Sequence, residues 1–282
     1  MQQIRRPAVS DSFYPGEKES LTREINSFLE KEDSLESIKR PRILILPHAG
    51  YDFSGPVAAA GFKTLEGEKF QNIFILGSSH SEFFSGACIS PDHFQTPLGI
   101  AKTKLELAEK LAEQNPDLIR ISSEAHRADH NLEVQIPFLQ TVLSQQGFNI
   151  VAILLGSMDT ESEEALVKAL EENIGEDDLL LVSSDLSHYP DIETAEECDR
   201  QTIEGILSGD PCIFQEKIKE NRQAFPTVDT FACGEKAISI ALSLAKRKNI
   251  SDFRLIKYEN SGHRPLGSRD RVVGYAALAA FA

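Results

Sequence analysis

Four short, unbroken apolar runs constrain this chain more than any other feature. They are RILIL (Arg42–Leu46), NIFILG (Asn72–Gly77), NIVAILLG (Asn149–Gly156) and DLLLVSSD (Asp178–Asp185). A strand with one wet face alternates apolar and polar residues, so a run without alternation has both faces buried. Segments with helical spacing lie between the runs. Residues 17–32 place Leu21, Ile25, Phe28 and Leu29 on one face, and residues 130–146 do the same with Leu132, Ile136, Leu139 and Leu143. Pro137 predicts a kink or a late start in the second of these. Further helices are expected over 54–66, with Ser54 as N-cap and Pro56 in the first turn, around 104–114, over 161–173, and through most of 193–247. FRLIKYEN and RVVGYAALAAFA read as two closing strands, and the stretch around TPLG as a loop. Buried strands alternating with amphipathic helices predict an α/β fold, a three-layer α/β/α sandwich around a mainly parallel sheet. With no linker or repeat to divide them, residues 1–282 are expected to form one domain; a split near residue 120 is the alternative.

Charge and cysteine usage narrow the function classes. The net charge of −15 argues against non-specific nucleic-acid binding and against anionic membrane surfaces. No apolar run approaches the ~18 residues that span a bilayer, and the opening MQQIRRPAVSDSFYPG lacks the apolar stretch of a secretory signal. A cytoplasmic location is expected. The 4 cysteines (Cys88, Cys198, Cys212 and Cys233) are scattered without a C-x-x-C pair, which fits neither a disulfide framework nor a zinc ribbon.

Chemistry is expected beyond the carboxyl ends of the strands, where open α/β sheets bind ligands. RILIL runs into Pro47-His48-Ala49-Gly50-Tyr51, NIFIL into Gly77-Ser78-Ser79-His80, and DLLLV into Ser183-Ser184-Asp185-Leu186-Ser187-His188. Three of the 7 histidines thus follow three predicted strands, and imidazole is both a common metal ligand and a common general acid–base. A second cluster, Glu124 to Glu133, holds His126 and His130; a helix starting near Asp129 would set His130 and Glu133 on one face, with Asp129 favouring its dipole. Cys233 precedes a predicted helix, a position that lowers a thiol pKa and suits a metal ligand or a nucleophile, with His188 as candidate base. Tyr14, Tyr51 and Tyr189 are candidate pocket residues. The phosphate-binding glycine motifs, the G-x-S-x-G elbow and H-E-x-x-H are all absent from the sequence.

Taken in order, RRPAVSDSFYPG, LPHAGYDFSGPVAA, ILGSSH, TPLG, DHNLEVQIPFLQ, SSDLSHY, CG, YENSG and VVGYAAL resemble the Memo family, also called AmmeMemoRadiSam system protein B. The resemblance implies a fold similar to class III extradiol dioxygenases. It implies a metal site of His48, His80 and Cys233, with Asp185, His188 and His130 matching catalytic positions of the dioxygenase-like arrangement. Those dioxygenases hold iron by two His and one carboxylate; a thiolate in the third position is softer and draws copper, zinc or iron. The expected function is a metal-dependent oxidoreductase, with iron or copper favoured, zinc as the alternative, and a small-molecule substrate. A metal or cysteine hydrolase and a non-enzymatic metal-binding scaffold are the rivals. The system's name suggests a link to a radical-SAM protein.

Overall fold

The computed structural model describes residues 2–33, 40–144 and 147–282. Its strands are β1 (Ile4–Arg5), β2 (Pro41–Leu46), β3 (Asn72–Ser78), β4 (Ala87–Ile89), β5 (His93–Thr96), β6 (Gly99–Thr103), β7 (Ile119–Ile121), β8 (Asn149–Leu155), β9 (Leu179–Ser183), β10 (Asp252–Asn260) and β11 (Gly274–Phe281). The helices are α1 (Lys18–Leu29), α2 (Tyr51–Lys63), α3 (Leu105–Gln114), α4 (Glu124–Arg127), α5 (Ile136–Val142), α6 (Thr160–Asn173), α7 (Ile192–Leu207), α8 (Pro211–Ala224) and α9 (Glu235–Arg247). All the strands described join one sheet, whose main path runs β1-β5-β6-β8-β3-β9-β2-β11-β10. The four apolar runs are its centre: β8, β3, β9 and β2 lie side by side and parallel. The two closing strands are antiparallel, β11 on β2 and β10 on β11.

Alternation of side chains along each central strand divides the core in two. Ile43, Ile45, Phe74, Leu76, Val151 and Ile153 face a layer that includes α6 and α9. Leu44, Leu46, Ile73, Ile75, Ile150 and Ala152 face the other layer, with α1, α2 and α5. This is why the runs carry no polar alternation: neither face meets water. Among the described residues no helix is long and apolar enough to cross a membrane.

Local expectations are corrected at several places. The TPLG stretch is the turn of the β5–β6 hairpin and not a plain loop. Strands this short leave little periodicity to read. Helix α2 begins at Tyr51, so Ser54 is not its N-cap; the Ser54 hydroxyl donates to the Ala49 carbonyl instead. Pro56 then falls inside the helix and cannot donate to Asp52 four residues back. The Arg264 guanidinium fills that gap, donating to the Asp52 carbonyl at 3.0 Å. Pro137 marks a late start: a 3₁₀ turn (Glu133–Gln135) leads into α5 at Ile136. The last two residues of the helix expected to run to 146 lie outside the described residues.

Two buried polar groups brace the end of the sheet that carries the histidine loops. Glu133 is fully buried and takes Arg5 Nη1 at 2.6 Å, the Tyr14 hydroxyl at 2.6 Å and the backbone N–H groups of Ala8 and Val9. Arg5 also donates to the carbonyls of His126 and Asp129. One carboxylate thus ties residues 5–14 to the segment 126–133. On the far side, buried Asp199 accepts from the Ser187 N–H at 2.9 Å and the Tyr258 hydroxyl at 2.9 Å. Burial pushes the Asp199 carboxyl up to about 7, against the pull of those hydrogen bonds.

Removing one partner of a buried ion pair strands the other. Glu133→Ala should therefore lower unfolding free energy by about 3–5 kcal/mol, read from chemical denaturation. Asp199 sets a pH dependence. Its folded pKa lies above the unfolded value of about 3.9, so the folded state binds the extra proton between the two. Stability from this group is full below pH 4 and lost as pH rises through about 7. Asp199→Asn should flatten that part of the stability–pH curve, and an unchanged slope between pH 4 and 7 would show the assignment wrong.

Candidate metal centre

Strand register builds the site. Leu46 of β2 and Gly77 of β3 both pair with Ser183 of β9. The chain leaves all three strands at the same level, and His48, His80 and Asp185 follow within three residues. Cys233 arrives from the other direction, just before α9. Its approach needs Gly234: a Cβ there would sit 2.6 Å from Ser184 Cβ and 2.9 Å from the Ser183 carbonyl oxygen. With no side chain in the way, the Gly234 N–H donates to Ser184 Oγ at 2.9 Å, and the Asp185 N–H donates to Cys233 Sγ at 3.2 Å.

The result is one cluster. Ligand atoms of His48, His80 and Cys233 lie within 4.8 Å of one another, and His48 Nε2 is 3.3 Å from Cys233 Sγ. Donors bound at about 2.0–2.3 Å around a tetrahedral ion stand roughly 3.3–3.8 Å apart, so the His48–Cys233 pair already has metal-binding spacing. The donor set, two imidazoles and a thiol, suits iron, copper or zinc. His48 is buried, Cys233 half-buried and His80 exposed, so the cluster is open on the His80 side.

His130 completes the wall. Its ring centroid is 5.6 Å from that of His48 and 5.4 Å from that of His80, and Phe13 packs on it at 4.7 Å. The expected pairing of His130 with Glu133 on one helix face does not form, because no helix begins near Asp129. His130 turns to the imidazoles while Glu133 turns to Arg5 and Tyr14. Asp129 does not serve a helix end; its carboxylate accepts the His80 N–H at 2.7 Å and fixes the His80 backbone. His126 lies apart from the cluster, its Nε2 3.0 Å from the Cys88 carbonyl, and burial pushes its pKa down to about 4.

Asp185 and His188 flank the cluster in separate hydrogen-bond settings. The Asp185 carboxylate accepts the N–H groups of His48 at 2.7 Å and Ala49 at 3.3 Å. It holds the His48 backbone, and burial raises its pKa against the influence of His188 and those N–H groups. The orienting contact of His188 is the Leu186 carbonyl, 2.9 Å from Nδ1. A carbonyl only accepts, so Nδ1 carries the proton and Nε2 of neutral His188 is bare. The chain reverses immediately afterwards at Tyr189, whose φ of 70° is uncommon for a residue with a side chain.

Three expectations change. Cys233 does not have a lowered pKa: burial, reinforced by Asp185, pushes its thiol up. A helix N-terminus two residues away cannot offset the loss of water. The imidazole that meets its sulfur is that of His48, in place of His188. Burial, with His80, His130 and His188 nearby, holds His48 well below its usual range, so the ring is neutral. Tyr14 and Tyr51 are core residues, their hydroxyls on Glu133 and the Val134 carbonyl; Tyr189 is exposed under the Arg271 guanidinium. Reasoning from sequence missed Ser183, Gln135 and Asn131, all buried against the cluster. The available signal was polar side chains interrupting apolar segments. A cavity of about 770 Å³ opens beside Cys233, lined among others by Ser78, Thr230, Gln215 and Lys236.

Comparison with known proteins agrees with this fold. The family model described as Memo-like protein matches residues 5–279. A MEMO1 family protein of Methanosarcina barkeri is 35% identical over 281 residues, covering 98% of this chain and 99% of that protein. One from Methanococcoides burtonii is 34% identical with the same coverage. Among solved structures, an uncharacterized protein from Escherichia coli K12 shares the fold with a TM-score of 0.50 at 12% identity, covering 84% of this chain and 99% of that one. Matched from its first strand to its last, the chain belongs to the Memo family.

Proposed function

We propose that the protein is a cytoplasmic, metal-dependent oxidoreductase acting on a small molecule, as one Memo-like domain over residues 1–282. His48, His80 and Cys233 hold the metal, with iron or copper favoured and zinc as the alternative. The observation that carries this reading is the convergence of two imidazoles and a thiol on an open strand end. A bound iron or copper ion supplies redox chemistry, and zinc would supply polarisation of substrate or water. The protein's own residues do the rest. His188 presents a bare Nε2 able to accept a proton and later return it. Buried Asp185 places its charge near that imidazole and fixes the His48 backbone. Phe13 packs on His130 beside the cluster and holds that imidazole toward the other two. The cavity beside Cys233 is large enough for a small substrate. The net charge of −15 supports neither a nucleic-acid nor an anionic-membrane partner. A link to a radical-SAM protein rests on the family's name alone.

A second reading is favoured by one contact: Cys233 Sγ lies 3.3 Å from His48 Nε2, the spacing of a cysteine nucleophile and its base. The raised thiol pKa weighs against it. Anaerobic titration of Fe(II), Cu(I) and Zn(II) into metal-free protein separates the two. One tight equivalent is expected, weakened about 10-fold or more in Cys233→Ser. Absence of stoichiometric binding, or binding indifferent to Cys233, would sink the metal reading and leave the nucleophile.

A further inference from the structure

We propose that Ser183 is a positioning residue of this site: its hydroxyl holds His48 in the Nδ1–H tautomer and so aims a bare Nε2 at Cys233. The proposal deepens the metal reading and rests on it for the role, though not for the geometry.

Ser183 is the last residue of β9 and is fully buried. Its Oγ has three partners: the Asn131 carbonyl at 2.7 Å, Gln135 Nε2 at 2.8 Å and His48 Nδ1 at 3.0 Å. A hydroxyl offers one proton and two lone pairs. The Asn131 carbonyl cannot donate, so the hydroxyl proton goes there. Gln135 Nε2 also lies 2.9 Å from the Pro47 carbonyl, which again only accepts. That contact identifies the atom as the amide nitrogen, and its second hydrogen fills one lone pair of Ser183. The remaining lone pair faces His48 Nδ1, which must therefore carry a proton. A neutral imidazole has one N–H, so Nε2 is left bare, 3.3 Å from Sγ. The other tautomer would set two lone pairs against each other where no water can intervene, a costly arrangement in a buried network.

The same hub reaches the second imidazole. The Asn131 side-chain amide donates to the Ser78 carbonyl, the group that His80 Nδ1 faces at 2.8 Å. One buried residue therefore fixes the Ser183 proton with its main chain and braces the His80 loop with its side chain.

The test reads the tautomer directly, by ¹⁵N NMR of the histidine rings in metal-free protein, beside Zn(II) affinity. Wild-type His48 is expected as a single Nδ1–H tautomer. Ser183→Ala should lose that preference and bind Zn(II) about 10–100-fold more weakly, and Ser183→Thr, which keeps the hydroxyl, should restore both. An unchanged tautomer in Ser183→Ala overturns the proposal. So does wild-type His48 found as Nε2–H, which decides the matter even where the alanine variant does not fold. If wild-type protein binds no Zn(II), Fe(II) or Cu(I), the metal reading fails, while the tautomer measurement still judges the Ser183 geometry.

Discussion

The site depends on one constraint, the common level at which β3, β9 and β2 end. These three strands are buried on both faces, so polar side chains are expelled to their ends, and parallel pairing brings the carboxyl ends together. Ser183 sits in register with both Leu46 and Gly77. A shift of one residue in either pairing would move His48 or His80 by about 3.3 Å and turn alternate side chains to the wrong core. The apolar packing of the strand interiors thus sets the spacing of the ligands.

Charge around the cluster follows from the same burial. His48 is stripped of water and surrounded by other imidazoles, so it stays neutral and keeps a lone pair. Cys233 is pushed toward the thiol by burial and by Asp185. A cation placed among these groups would reinforce the first pressure and reverse the second: it keeps His48 unprotonated and favours the Cys233 thiolate. Exposed carboxylates elsewhere pair with basic side chains, as Glu197 and Glu204 do with Arg200.

Much of this was legible in the residues. The four apolar runs are the four central strands, and α9 spans Glu235 to Arg247 as the helical pattern indicates. His48 and His80 announce themselves by following those runs. Cys233 was harder, because its partners are distant in sequence and only Gly234 hints at a close approach. What could not be read was hydrogen-bond allocation. Glu133 resembles a solvent-facing helix acid until Arg5, over a hundred residues earlier, is found against it. Ser183 resembles one more small residue at a strand end. Asn131 and Gln135 look like surface polar groups until the turn preceding α5 carries them inward. The short strands β4 to β7 escaped because three to five residues do not define a period.

The closing strand holds more than the edge of the sheet. The Leu186 N–H donates to the Gly274 carbonyl, the Gly274 N–H to the Ser187 carbonyl, and the Tyr189 N–H to the Val272 carbonyl. The loop bearing Asp185 and His188 is therefore pinned by Val272 and Gly274, and β11 covers the edge of β2, the strand that delivers His48. Fraying of this outer pair of strands would therefore release Asp185 and His188 from their places while the central parallel strands β8, β3 and β9 stay paired.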